Sequence, residues 1–263
     1  MVYVLSTTDK VGNVFKSADG TTLVKRIALD DVFTTVEWLE TITQLPIVDN
    51  LLGSAGKKQS SGDLDIAVDL NTITKDQLTS KLLAVCNATD IKRSGISVHF
   101  RAPINGDAAN GYVQVDFMFV DNIPLAKFGL YSAGDASKFT GTARNILMCS
   151  LAKAISNELR YSWQKGIINT TTNTVVTTDP DVIAKVLLGN SYTCQNTNSV
   201  ETILDAIKHD TFRIAALKAL CVRLRDTADK KTAVIANNTS EADNIELMLQ
   251  QLFLKVELFS AIG

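Results

Sequence analysis

Asp63 and Asp65, in the tract Ser60-Ser61-Gly62-Asp63-Leu64-Asp65-Ile66, and Asp116, in Val113-Gln114-Val115-Asp116-Phe117, are the residues of this chain whose types and spacing suit chemistry. Side chains of an extended strand alternate faces, so Asp63 and Asp65 stand together, opposite Leu64, Ile66 and Val68. Over residues 111–120, Val113, Val115, Phe117 and Phe119 alternate with Gln114, Asp116 and Met118, which puts Asp116 opposite the apolar stripe too. If the two strands are sheet neighbours, three carboxylates converge. Like charges raise one another's pKa, so such a cluster calls for a cation. Hard oxygen ligands with open positions suit Mg²⁺, with Mn²⁺ as the alternative. Two such ions, about 3.5–4 Å apart, can activate an attacking oxygen and stabilise a leaving one in an in-line displacement.

Upstream of the acids, Gly53-Ser54 follows the apolar run Ile47-Val48-Asp49-Asn50-Leu51-Leu52. Glycine admits a close backbone approach, and serine offers a hydroxyl and an amide to a phosphate oxygen. Ser54, Gly62, Lys57 and Lys58 are therefore expected to line a triphosphate pocket, the lysines neutralising what the metal does not. Asp-x-Asp alone is a solvated strand face. Together with a Gly-Ser loop before it and a third acid centred in a second strand, it points to nucleotidyl transfer.

At these residues the chain resembles the DNA polymerase beta-like nucleotidyltransferase superfamily, and more closely its family X polymerases. The similarity continues in Phe139-Thr140-Gly141-Thr142, like that family's Phe-Thr-Gly-Ser turn, and in a following helix expected over residues 145–159. A Thr/Asn-rich hairpin at residues 161–176 and a short helix within 178–189 are similar to its thumb, so the resemblance spans residues 43–191. It implies a nucleotidyltransferase palm, Mg²⁺ held by Asp63, Asp65 and Asp116, and an NTP or dNTP bound by Gly53, Ser54, Lys57, Lys58, Gly62, Phe139, Gly141 and Asn145. The acceptor it implies is a nucleic-acid 3′ end. Nucleotidylation of a protein or small molecule, and a non-catalytic nucleotide-binding or assembly role, are the alternatives.

The departures carry information as well. Gln114 stands where the family has a basic residue, Lys138 where it has an aromatic that checks the sugar, and Leu147-Met148-Cys149 where it has an Arg facing the template. Sugar discrimination and template dependence are the properties these differences weaken. The segment before Gly53 also lacks the family's lyase and helix-hairpin-helix modules.

The elements that must position these residues read as α+β, with a mixed twisted sheet flanked by helices, a small thumb-like subdomain and a helical C-terminal extension. The expected divisions are 1–27, an N-terminal strand segment; 28–135, the palm; 136–192, the thumb; and 193–263, the extension. Strands are expected at 2–5, 13–15, 96–100 and 111–120, and an amphipathic helix at 29–42 through Val32, Phe33, Val36 and Leu39. Thr74-Lys75-Asp76-Gln77 has capping-box spacing before Leu78, Leu82 and Val85. Further helices are expected at 199–207, 211–224 and 240–259, the last a core or oligomer contact.

With 263 residues, 46% hydrophobic and 21% charged, the composition is that of a globular protein, and no run approaches the roughly 20 apolar residues of a membrane span. A cytoplasmic location follows as an expectation. The net charge of −2 excludes a protein gripping long nucleic acid by its whole surface. Local contacts are expected from Lys57-Lys58, from Arg144, Lys153, Arg160 and Lys165, or from Arg213, Lys218, Arg223 and Arg225. Cys86, Cys149, Cys194 and Cys221 are too far apart for zinc and read as buried apolar residues; His99 and His209 have no partner at ligand spacing.

Overall fold

The computed structural model describes residues 12, 14–217 and 219–220; the strand expected at 2–5, the helix at 240–259, Cys221, Lys218, Arg223 and Arg225 lie outside them. The chain forms two compact units, Met1–Lys127 and Phe128–Gly263. In the first, the elements are β1 (Ile27–Ala28), α1 (Leu29–Thr43), β2 (Ser60–Ser61), β3 (Asp63–Asp69), α2 (Lys75–Leu83), β4 (Ile91–Ser94), β5 (Ser97–Pro103) and β6 (Tyr112–Val120), before α3 (Ile123–Gly129). The architecture is α+β, with a mixed four-stranded sheet in the order β3-β6-β5-β4.

β3 runs parallel to β6, whereas β5 is antiparallel to both β6 and β4. A parallel pair cannot be joined by a tight turn, and the chain between β3 and β6 supplies α2, β4 and β5 as the crossover. One face of the sheet, with Leu64, Ile66, Val98, Phe100, Val113, Val115 and Phe117, forms the core with Val32, Val36 and Leu39 of α1 and Leu78 and Leu82 of α2. Each helix contributes positions three or four apart, which lie on one side. The other face of the sheet is left for the acids.

Local chemistry explains most boundaries. Thr74 and Gln77 close both bonds of the capping box, Gln77 N–H to Thr74 Oγ1 at 3.2 Å and Thr74 N–H to Gln77 Oε1 at 2.8 Å. Val85, expected in α2, lies beyond its end and is exposed. Phe33, expected in the core, is exposed one position round from Val32, its ring against Gly56. No strand forms at Val14-Phe15, where the Val14 N–H is taken by a side chain instead of a ladder. The paired two-residue strands β1 and β2 went unforeseen, as did β4, whose Lys92 and Arg93 break the apolar alternation, and α3, whose Pro124 sits in its first turn.

The second unit contains α4 (Gly141–Ile155), the antiparallel sheet β7 (Leu159–Ser162), β8 (Gly166–Asn169) and β9 (Thr174–Thr177), then α5 (Pro180–Leu188), α6 (Val200–Ile207) and helical residues 211–217. Thr140 caps α4, its hydroxyl accepting from Ala143 N–H at 3.2 Å, so the Phe-Thr-Gly turn opens this helix four residues earlier than expected. Leu159 begins β7 rather than ending the helix. Among the described residues no helix is long and apolar enough to cross a membrane.

Candidate metal and nucleotide site

The register of β3 and β6 sets Asp65 directly opposite Asp116, and Asp63 opposite Gln114. Neighbouring strands lie about 4.8 Å apart, so the three acids share one face on adjacent strands. Burial first, then Asp63 and Asp116, pushes the Asp65 carboxyl up to about 7. Burial and Asp116 also raise Asp63, against which Arg26 acts in the opposite sense. Arg26 is held in place by Ser60, donating to its Oγ at 2.9 Å and to its carbonyl at 2.8 Å.

Asp116 is already partnered. His99, directly opposite it on β5, shares a hydrogen bond from Nδ1 to Oδ1 at 2.7 Å, and its Nε2 meets Ser94 Oγ at 2.7 Å. Gln114 donates from Nε2 to both Asp116 oxygens at 3.0 Å. His99, which has no partner at ligand spacing along the chain, thus finds one across strands. Spacing along the chain hid a pairing that runs across strands, although His99 alternates with Val98 and Phe100 as Asp116 does with Val115 and Phe117. Arg101, opposite Gln114, pairs with Asp90 at 2.6 Å and stacks on Tyr112.

Among the described residues no three acidic, imidazole or thiol groups are gathered into a ready-made metal cluster. The chemistry of the donors nevertheless fits a divalent ion. Among these residues no group hydrogen-bonds the Asp63 or Asp65 side chain, and burial first, then the neighbouring carboxylates, disfavours their charged forms, which a hard cation would offset.

The Gly-Ser loop lies along the free edge of β3. Leu52 N–H donates to the Asp65 carbonyl at 2.8 Å and Ala67 N–H to the Asn50 carbonyl at 2.9 Å. Gly53, at φ +67°, turns the chain away beside the Asp65 carboxylate, which would be 3.7 Å from a Cβ at this position. Ser54 is half-buried, and its carbonyl accepts from Lys57 N–H at 3.0 Å. Lys57 Nζ reaches the Gly53 carbonyl at 3.3 Å; desolvation, and then Lys127, lowers its pKa. Lys58 is half-buried on the same loop. Ser61, immediately before Gly62, has a buried hydroxyl with no partner among the described residues.

Phe139, Gly141 and Asn145 belong to the second unit, at the start of α4. Gly141 packs where a Cβ would be 2.9 Å from the Tyr131 carbonyl, and Asn145 has a buried Oδ1 with no partner among the described residues. Arg144 is not a surface cation: it is 1% exposed and donates to the carbonyls of Phe128, Gly129 and Thr197 and to the Thr197 hydroxyl. Arg213 likewise serves the C-terminal end of α5, bonding the Leu187 carbonyl at 2.6 Å and pairing with Asp210. Cys86, Cys149 and Cys194 are half-buried rather than buried, and desolvation raises each thiol's pKa, Cys86 to about 11. Such thiols are poor nucleophiles. Compared with known proteins, the chain matches no protein-family model and no curated protein sequence.

Proposed function

We propose that this chain is a metal-dependent nucleotidyltransferase of the DNA polymerase beta-like kind, moving a nucleoside monophosphate from an NTP or dNTP to an acceptor hydroxyl. The observation that carries this reading is the parallel register that sets Asp65 beside Asp116, with Asp63 on the same face and Gly53 against Asp65. Bound Mg²⁺ or Mn²⁺ would neutralise the triphosphate and the charge developing in an in-line displacement. Asp63 and Asp65 would hold it, with Asp116 on the acceptor side. The acceptor oxygen bonds to the α-phosphorus and its proton passes to Asp116. The bond from the α-phosphorus to the bridging oxygen breaks, and its electron pair leaves with pyrophosphate. Ser54, Gly62, Lys57 and Lys58 orient the β- and γ-phosphates. A cytoplasmic setting suits this chemistry.

A nucleic-acid 3′ end is the favoured acceptor, on the strength of the thumb-like β7-β8-β9 sheet with α5. Nucleotidylation of a protein or small molecule is favoured by a different observation: Arg144 and Arg213, two expected phosphate contacts, are engaged in structural bonds. The test is incubation with labelled nucleotides, Mg²⁺ or Mn²⁺, and a panel of single-stranded, duplex and protein acceptors. Labelled nucleic acid with pyrophosphate release is expected. Labelled protein supports the second reading; nucleotide binding without transfer to any acceptor counts against both.

A further inference from the structure

Gly12 and Val14, with Phe15 beside them, lie against the acid-bearing face and are attached at three places. Gly12 N–H donates to the Gly62 carbonyl at 3.0 Å, one residue before Asp63. Val14 N–H donates to Gln114 Oε1 at 3.0 Å. Lys92 Nζ donates to the Val14 carbonyl at 2.7 Å and sits over the ring of the buried Phe15, 5.3 Å from its centroid. These residues thus span the starts of β3 and β6. Gly12 is pressed so close that an added Cβ would fall 2.5 Å from Gln114 Cβ and Oε1.

Gln114 is what these residues hold. Its side chain is buried, with 3% of the residue exposed, and both ends of its amide are engaged. The carbonyl end accepts from Val14, which directs Nε2 onto both oxygens of Asp116. The opposite orientation would bring two acceptors together, amide oxygen against carboxylate, and leave the Val14 N–H unmet. A backbone N–H about 100 residues away in the chain, at Val14, thus orients the Gln114 amide toward the third acid, whose other partner is His99.

We infer that Gly12, Val14 and Phe15 act as a strap that positions Asp116 through Gln114, so that Gln114 is a positioning residue for the metal on the acceptor side; the inference rests on the metal-site reading above. Neighbours that orient a ligating side chain typically contribute about 10–100-fold to metal affinity. The strap's outer anchor, Lys92, touches neither Gln114 nor Asp116 by hydrogen bond, so it offers a remote handle.

The test is calorimetric titration of the full chain with Mn²⁺, alongside melting in EDTA, for the wild type and for Asp65→Asn, Gln114→Met, Gly12→Ala and Lys92→Met. Expected are Mn²⁺ binding that Asp65→Asn abolishes, and affinity about tenfold lower in the other three variants, including those whose metal-free melting is unchanged. Wild-type affinity in folded Gln114→Met and Lys92→Met overturns the strap while leaving the metal site standing. No Mn²⁺ binding by the wild type, or binding indifferent to Asp65→Asn, overturns the metal site and the strap with it. If Gly12→Ala does not fold, the surface change Lys92→Met carries the same comparison.

Discussion

At the scale of single residues, Asp65 links protonation to stability. Its carboxyl titrates at about 7 in the folded chain against an ordinary 3.8, so between those values the folded state holds a proton that the unfolded state releases. This contribution is complete below about pH 4 and is lost as pH rises through about 7, amounting to a loss on the order of a few kcal/mol. Asp63 acts in the same direction. Urea melts in EDTA at pH 4.5 and 7.5 should show the decline, Mn²⁺ should offset it at pH 7.5, and Asp65→Asn should flatten it. A variant whose stability declines as steeply as the wild type would contradict this origin. The same substitution should lower nucleotide transfer by about 10²–10³-fold, as expected for loss of a ligand whose metal stabilises the transition state by several kcal/mol.

At the scale of elements, Arg144 ties the start of α4 to the end of α3 and to Thr197. Burial lowers its pKa to about 10, still well above neutrality, so the guanidinium remains charged and donates to the Phe128, Gly129 and Thr197 carbonyls. Arg144→Met should cost about 3 kcal/mol in denaturant melts, because buried acceptors are left unmet. Fully wild-type stability with weakened nucleic-acid binding would return Arg144 to the role of a phosphate contact. Thr74→Ala should cost about 1 kcal/mol by removing one side of the capping box of α2.

For the molecule as a whole, charge decides how it can meet an acceptor. With net charge −2 and Arg144 and Arg213 internally engaged, the described residues leave Lys153, Arg160 and Lys165 exposed among the expected second-unit contacts. Few phosphate contacts mean a shallow salt dependence, with affinity for a single strand falling with a log–log slope no steeper than about −3. Under the proposed function, extension should depend on the 3′ end more than on the opposing base, since Leu147 and Met148, at the positions that the resemblance assigns to the template contact, are apolar and buried. Primer extension across four template bases measures this; faithful complementary insertion would refute it.

The sequence alone determined what alternation and capping determine. Asp63, Asp65 and Asp116 stand opposite apolar stripes because strand side chains repeat every second residue, and α2 begins at Thr74 because its cap is local. The Gly53 turn was equally legible, since positive φ is a property of one residue. Tertiary structure decided which strands are neighbours, and with them the pairing of His99 with Asp116, the placing of Arg26 near Asp63, and the line from Val14 through Gln114 to the third acid. It also turned Arg144 inward. These contacts join residues far apart in the chain, and nothing in a residue's own type or local spacing specifies a partner that only packing brings within hydrogen-bond reach.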